Sequence, residues 1–155
     1  MDRIRKSKGI VFYGIALIAF GFYNLLGLGD YKQFSLMFKP LPKAIILIVY
    51  VFTAFYAICG IYCGPKILKF KNWARSMIVM LTSVSVILGF IFNRIVISNF
   101  KEFVLSGTSE ISLSMADTVY VCAVIFIAVI TTFELSLIYF FTRPAVIEQF
   151  KSSEI

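Results

Sequence analysis

With 155 residues the chain has room for one domain, yet 60% of it is hydrophobic, 17 residues are phenylalanine and the mean hydropathy is +0.92. A water-soluble domain of this size could not cover that much apolar surface, so the composition calls for lipid as the outer solvent. The formal charge of +7 sits at the ends of apolar runs and not along one face, which argues against a nucleic-acid partner. The absence of histidine excludes bis-His haem ligation, His-based triads and the usual zinc constellations.

Residues 9–29 form the first predicted span, 21 positions without a charge. A helix rising ~1.5 Å per residue crosses ~30 Å of hydrocarbon in about 20 residues. The run has no A-x-A-like cleavage site and is too long for the apolar part of a signal peptide. It leads into NLLGLGDYKQF, residues 24–34, whose Gly27-Leu28-Gly29-Asp30 resembles the active-site loop of prepilin-peptidase-type intramembrane aspartyl proteases. Aspartyl catalysis needs two carboxylates sharing a proton. Besides Asp30 the chain has only Asp2, predicted on the opposite side, and Asp117, at the outer start of the fourth span. The stretch therefore reads as a helix exit. Gly27 and Gly29 are expected in left-handed or irregular backbone, with Tyr31 and Phe34 in the outer headgroup layer beside Lys32.

The second span is predicted over residues 44–63, between Pro42-Lys43 and Gly64-Pro65-Lys66, and the third over 75–97. Phe100, Phe103 and Val104 continue the third helix to Gly107, and the Ser-rich residues 106–116 read as a loop. The fourth span, 117–142, is interrupted only by Glu134. Arg143-Pro144 breaks it, and Val146, Ile147 and Phe150 then fall on one side of a short helix, 144–152, expected to lie on the inner leaflet. Cys59 and Cys63 share a span and Cys122 lies on another; all three read as small buried hydrophobes.

Four spans place both termini on one side. That side carries Arg3, Arg5, Lys6, Lys8, Lys66, Lys69, Lys71, Arg75, Arg143 and Lys151, ten basic residues. The other carries five, Lys32, Lys39, Lys43, Arg94 and Lys101. The bias predicts N-in/C-in. The fold class is thus all-α: a polytopic membrane protein, a single four-helix transmembrane bundle with a short interfacial C-terminal helix. In the inner turn, Lys66, Lys69, Lys71, Trp73 and Arg75 are candidate contacts for anionic lipid headgroups, against the plainer account of a topology-setting loop.

The turn GIYCGPKILKFKNWAR and the closing YFFTRPAVIEQFK resemble small uncharacterised bacterial inner-membrane proteins with four helices. Many of these carry a G-x-G-L-L-K-x-K-x-W-A-R turn and end in T-R-P-x-V-x-x-x-F. The resemblance implies a fold and a topology, and no activity.

Small or polar residues recur at helical spacing in every span. The stripes are Gly14, Leu17, Gly21, Asn24; then Thr53, Ala57, Gly60, Gly64; then Thr82, Ser85, Gly89, Asn93; and last Ala123, Ile127, Thr131, Glu134. Lipid gives helices no hydrophobic reason to associate, so small residues mark where backbones can approach. Asn24 and Asn93 lie at similar depth and are expected to bond across spans one and three.

Glu134 lies eight residues from the inner end of its span, roughly 12 Å inside that boundary. A carboxyl there is expensive and faces the bundle interior. Depth matching offers Thr82, Ser83, Ser85, Tyr56 and Tyr13 as partners, with Thr131 one turn away and no cation among them. Glu134 is therefore expected to be protonated or held by hydroxyls, as a structural clamp, a proton- or substrate-linked group, or a site for a partner's helix. The favoured functional expectation is a non-catalytic accessory, scaffold or assembly subunit of a membrane complex. The alternative is a small transporter or channel acting through Glu134, and an Asp30–Asp117 protease is a third. No cofactor or metal is expected. The expected partners are the bilayer and a membrane protein or further copies of the chain, in a bacterial inner membrane.

Overall fold

The structure, a computed structural model, describes residues 8–29, 31–39, 41–107 and 113–152. Among these, every regular element is helical: α1 (Lys8–Gly27), α2 (Tyr31–Met37), α3 (Lys43–Leu68), α4 (Asn72–Gly107), α5 (Leu113–Thr142) and α6 (Pro144–Lys151). Four stretches are long and apolar enough to cross a membrane: Lys8–Gly27, Lys43–Leu68, Asn72–Asn99 and Asp117–Thr142. Their outward faces carry large apolar side chains such as Phe12, Ile48, Phe90 and Ile125, each more than half exposed. Such a surface suits lipid and not water.

The second predicted span stops at Cys63, but α3 runs on to Leu68. Pro65 removes one backbone donor without ending the helix, and its own carbonyl still accepts the Lys69 N–H at 3.2 Å. The helix ends instead in a Schellman pattern. The Lys71 N–H reaches the Lys66 carbonyl, the Phe70 N–H reaches that of Ile67, both at 2.9 Å, and Phe70 takes φ 54°. Glycine is the usual residue there; here a phenylalanine turns its buried ring onto Phe150, centroids 5.5 Å apart.

The first helix ends at Gly27, with Gly29 in an irregular bend beyond it. None of the described glycines has positive φ. The Leu28 N–H bonds the Asn24 carbonyl at 3.1 Å, and the Tyr50 hydroxyl donates to the Leu28 carbonyl at 2.8 Å, so the last turn closes without left-handed backbone. Asp30 lies outside the described residues, and with it the protease-like dyad. Tyr31 and Phe34, expected among headgroups, belong to the unforeseen α2 and pack on the Tyr50 ring at 5.1 and 5.2 Å. Phe38, just past α2, reaches Phe92 on α4.

The 36 residues of α4 reach Gly107, the predicted end of the third helix. The loop predicted over 106–116 is shorter, because α5 starts at Leu113. Residues 108–112 lie outside the described ones.

Packing runs from α1 to α3, α3 to α4 and α4 to α5. Rings close the circuit: Tyr13 on α1 meets Phe140 and Phe141 on α5 at 4.9 and 5.7 Å. The α1–α3 contact is the tightest. A Cβ built on Gly21 would lie 2.7 Å from the Ala57 carbonyl oxygen, and one on Gly64 would lie 2.8 Å from that of Gly14. Helix α6 folds back on α5 and α4. Its apolar stripe therefore covers the bundle: Phe150 is fully buried, Val146 nearly so and Ile147 partly. Cys59 and Cys63 are buried as expected, but Cys122 is exposed, in the N-terminal half of α5.

Candidate functional site

Glu134 points into the interior and is 6% exposed. The Ser85 hydroxyl on α4 donates to its Oε1 at 2.8 Å. On α3, the Tyr56 hydroxyl stands on the same side as Glu134 and lies 3.1 Å from Oγ1 of the fully buried Thr82. Thr82 and Ser85 on α4, Tyr56 on α3 and Glu134 on α5 thus bring polar groups of three helices together. Only hydroxyls act on the carboxylate, and no described lysine or arginine does. Four of the five predicted site residues, Glu134, Ser85, Tyr56 and Thr82, thus form one cluster.

The fifth, Thr131, is turned to its own helix and donates to the Ile127 carbonyl at 2.9 Å. Other depth-matched candidates are likewise spoken for. Tyr13 donates to Ser136 at 3.0 Å and Ser83 to the Val79 carbonyl at 2.8 Å. The Asn24 amide donates to the Phe20 carbonyl at 2.8 Å instead of bridging to Asn93. Hydroxyls and amides in apolar helices find the nearest exposed backbone carbonyl first, and that carbonyl is on the same helix.

The cluster forms one end of a cavity of about 210 Å³ inside the bundle. From Glu134 it runs past Thr131 to Ile127 on α5 and from Ser85 past Gly89 to Asn93 on α4, roughly 12 Å along the axis. Asn24 and Phe20 of α1, with Phe52, Thr53 and Tyr56 of α3, complete its wall. At ~30 Å³ per molecule the space equals about seven waters, and its polar lining suits occupation by water or a polar solute. The stripes on α4 and α5 therefore do a different job from those on α1 and α3. Gly14, Gly21, Gly60 and Gly64 bring two backbones together, whereas Ser85, Gly89, Asn93, Thr131 and Glu134 line a space. Phe20 and Phe52 were not legible as site residues, because aromatics in an apolar run carry no signal of facing inward.

The basic turn is a second polar region. Lys69 and Lys71 are exposed, Lys66 Nζ stands 5.5 Å from the Tyr62 ring centre, and Tyr62 packs on the exposed Trp73 at 5.9 Å. Arg75, grouped with these in the headgroup reading, is engaged within the protein. Its Nη1 donates to the Phe141 carbonyl at 2.8 Å, its Nε to Asn72 Oδ1 at 2.9 Å, and its guanidinium stands 6.0 Å from the Phe150 ring. It satisfies an orphan carbonyl at the end of α5 and joins α4, α5 and α6.

No protein-family model, no curated protein and no solved structure matches the chain.

Proposed function

We propose that the chain is an integral protein of a bacterial inner membrane, N-in/C-in, that holds a small polar solute at Glu134 and serves its binding or passage without catalysing a reaction. The cavity carries this reading. An interior lined by a carboxylate, hydroxyls and two carboxamides is costly in lipid unless something polar uses it. The orientation draws support from the gathering of Lys66, Lys69, Lys71, Arg75, Arg143 and Lys151 at the α6 end. The interfacial setting of α6 draws support from Lys151 and its exposed face, and the bacterial setting from the resemblance of the turn and tail.

Thiol accessibility tests the reading. In a chain with Cys59, Cys63 and Cys122 replaced by alanine, Asn93→Cys and Thr131→Cys should react with 2-aminoethyl methanethiosulfonate in intact membranes. Ile125→Cys, 58% exposed on an apolar face, should not, because lipid suppresses the thiolate. Silence at both cavity positions would refute it.

The accessory-subunit reading comes second. It is favoured by an apolar groove of about 630 Å³ between the outer halves of α4 and α5, lined by Val96, Ile97, Ala123 and Phe126. A further apolar helix fits such a groove, and a stoichiometric partner retained on purification in mild detergent would support this role.

A further inference from the structure

The acceptor-rich chemistry of the cavity points to its ligand class: we propose that it takes a small organic ammonium cation, an inference that rests on the solute-binding reading above. Three features of the wall converge. First, among the described residues Glu134 meets only hydroxyls, so the one carboxyl lining the space has no lysine or arginine to match a negative charge on it. Second, the wall's threonines and one Asn24 N–H have spent their donors, which leaves the Asn93 amide and the second Asn24 N–H as its open donors. Thr53 donates to the Val49 carbonyl at 2.8 Å, Thr131 to that of Ile127 and Asn24 to that of Phe20. Beyond that second N–H, what they keep for a ligand is oxygen lone pairs, two on each hydroxyl and two on the carboxamide oxygen. A wall in which oxygen acceptors surround a carboxyl favours a ligand made of donors, and an alkylammonium brings two or three N–H groups on a positive charge.

Third, three aromatic rings join Ile127 and Ile130 in the wall. Phe52 and Tyr56 lie nearly parallel, 2° apart with centroids at 6.3 Å, and Phe20 stands edge-on to Tyr56 at 6.4 Å. Ring faces attract cations and repel anions, and they match the methylene groups of an organic cation. A bare inorganic cation would use the oxygens but gain little from these rings. Size then narrows the choice. About 210 Å³ falls below the ~300–1,000 Å³ of drug-sized pockets, so the ligand has a handful of heavy atoms, in the range of ethyl- to butylammonium.

The test uses the full chain purified in mild detergent and follows thermal unfolding during titration with propylammonium chloride. Sodium chloride, potassium chloride, sodium propionate and propan-1-ol serve as matched controls. Propylammonium should raise the midpoint saturably and the controls should not. Glu134→Gln should weaken the apparent affinity at least tenfold. Phe52→Leu should weaken it about twofold to thirtyfold, the worth of a desolvated cation–ring contact. Thr131→Val, which keeps the shape of the side chain and removes the acceptor, should weaken it severalfold and serves if Glu134→Gln does not fold. No saturable response to propylammonium, a response equalled by sodium or potassium, or one untouched by Phe52→Leu and Thr131→Val would each overturn the proposal. Labelling at Asn93→Cys without an ammonium response overturns the ligand class alone; absence of both overturns the solute-binding reading as well.

Discussion

Phe70 places a bulky side chain where the backbone favours glycine, and two opposed terms decide its effect. Left-handed backbone costs a residue with a Cβ about 1–2 kcal/mol. Its ring is 8% exposed beneath Phe150, and burying a phenylalanine contributes about 1.5–3 kcal/mol, so burial offsets the strain. Phe70→Ala loses the ring and keeps the strain, whereas Phe70→Gly loses the ring and relieves the strain. Both should destabilise the protein, and glycine by about 1 kcal/mol less than alanine in a denaturant titration in detergent. Equal losses would show that the φ of 54° carries no strain. Nothing at Phe70 announces this turn, because left-handed backbone is normally betrayed by glycine or asparagine and the nearby Asn72 instead opens α4. Glu134 was legible for the opposite reason: a lone acid in an apolar run has few places to go. Depth found Ser85, Thr82 and Tyr56 beside it, but could not say that Thr131 would spend its proton on Ile127, since rotamer choice on a helix leaves no mark in spacing.

Helix pairing depends on how close two backbones can come, and the glycines of α1 give a matched pair for measuring it. A methyl on Gly21 would meet the Ala57 carbonyl oxygen at 2.7 Å, and backbone cannot swing aside; a methyl on Gly27 would find nothing within 4 Å. Gly21→Ala should therefore cost about 1–3 kcal/mol, the usual penalty of overpacking. Gly27→Ala should be neutral or gain about 0.5–1 kcal/mol from helix preference, with both read as shifts in resistance to unfolding in detergent. Similar behaviour of the two variants would mean that α1 and α3 are not held at this distance. The four long helices were legible from length and apolar content alone, since lipid accepts few other solutions. That Gly-x-x-x-Gly over residues 60–64 would meet α1 and not another helix was not legible, because every span bears a stripe and pairing depends on which stripe fits which. Helix α2 escaped for a related reason. Seven residues, YKQFSLM, are too few to be helical by themselves, and rings of α3 and α4 around Tyr31, Phe34 and Phe38 hold the segment in place.

At the level of the whole molecule, the orientation proposed for the bundle rests on charge bias, and its size permits a quantitative test. With ten basic residues on one side against five on the other, N-in/C-in is favoured. Alkaline phosphatase, active only when exported, should be active when fused after Lys39 or Gly107 and inactive when fused after Lys71 or Ser152. The joint formed by Arg75, Phe141 and Phe150 ties three helices together at the α6 end, so Arg75 is unsuited to a charge experiment. Lys66, Lys69 and Lys71 are better suited, because their removal breaks no described ion pair and no side-chain hydrogen bond to a neighbouring helix. Replacing these three by glutamine lowers the bias to seven against five. The variant should then insert in mixed orientation, with phosphatase activity appearing at the Ser152 fusion and falling at the Lys39 fusion. An unchanged pattern would mean that the remaining charges near the first helix set the topology by themselves. Activity at Ser152 in the unmodified chain would reverse the orientation altogether, turning the Asn93 end of the cavity toward the cytoplasmic side.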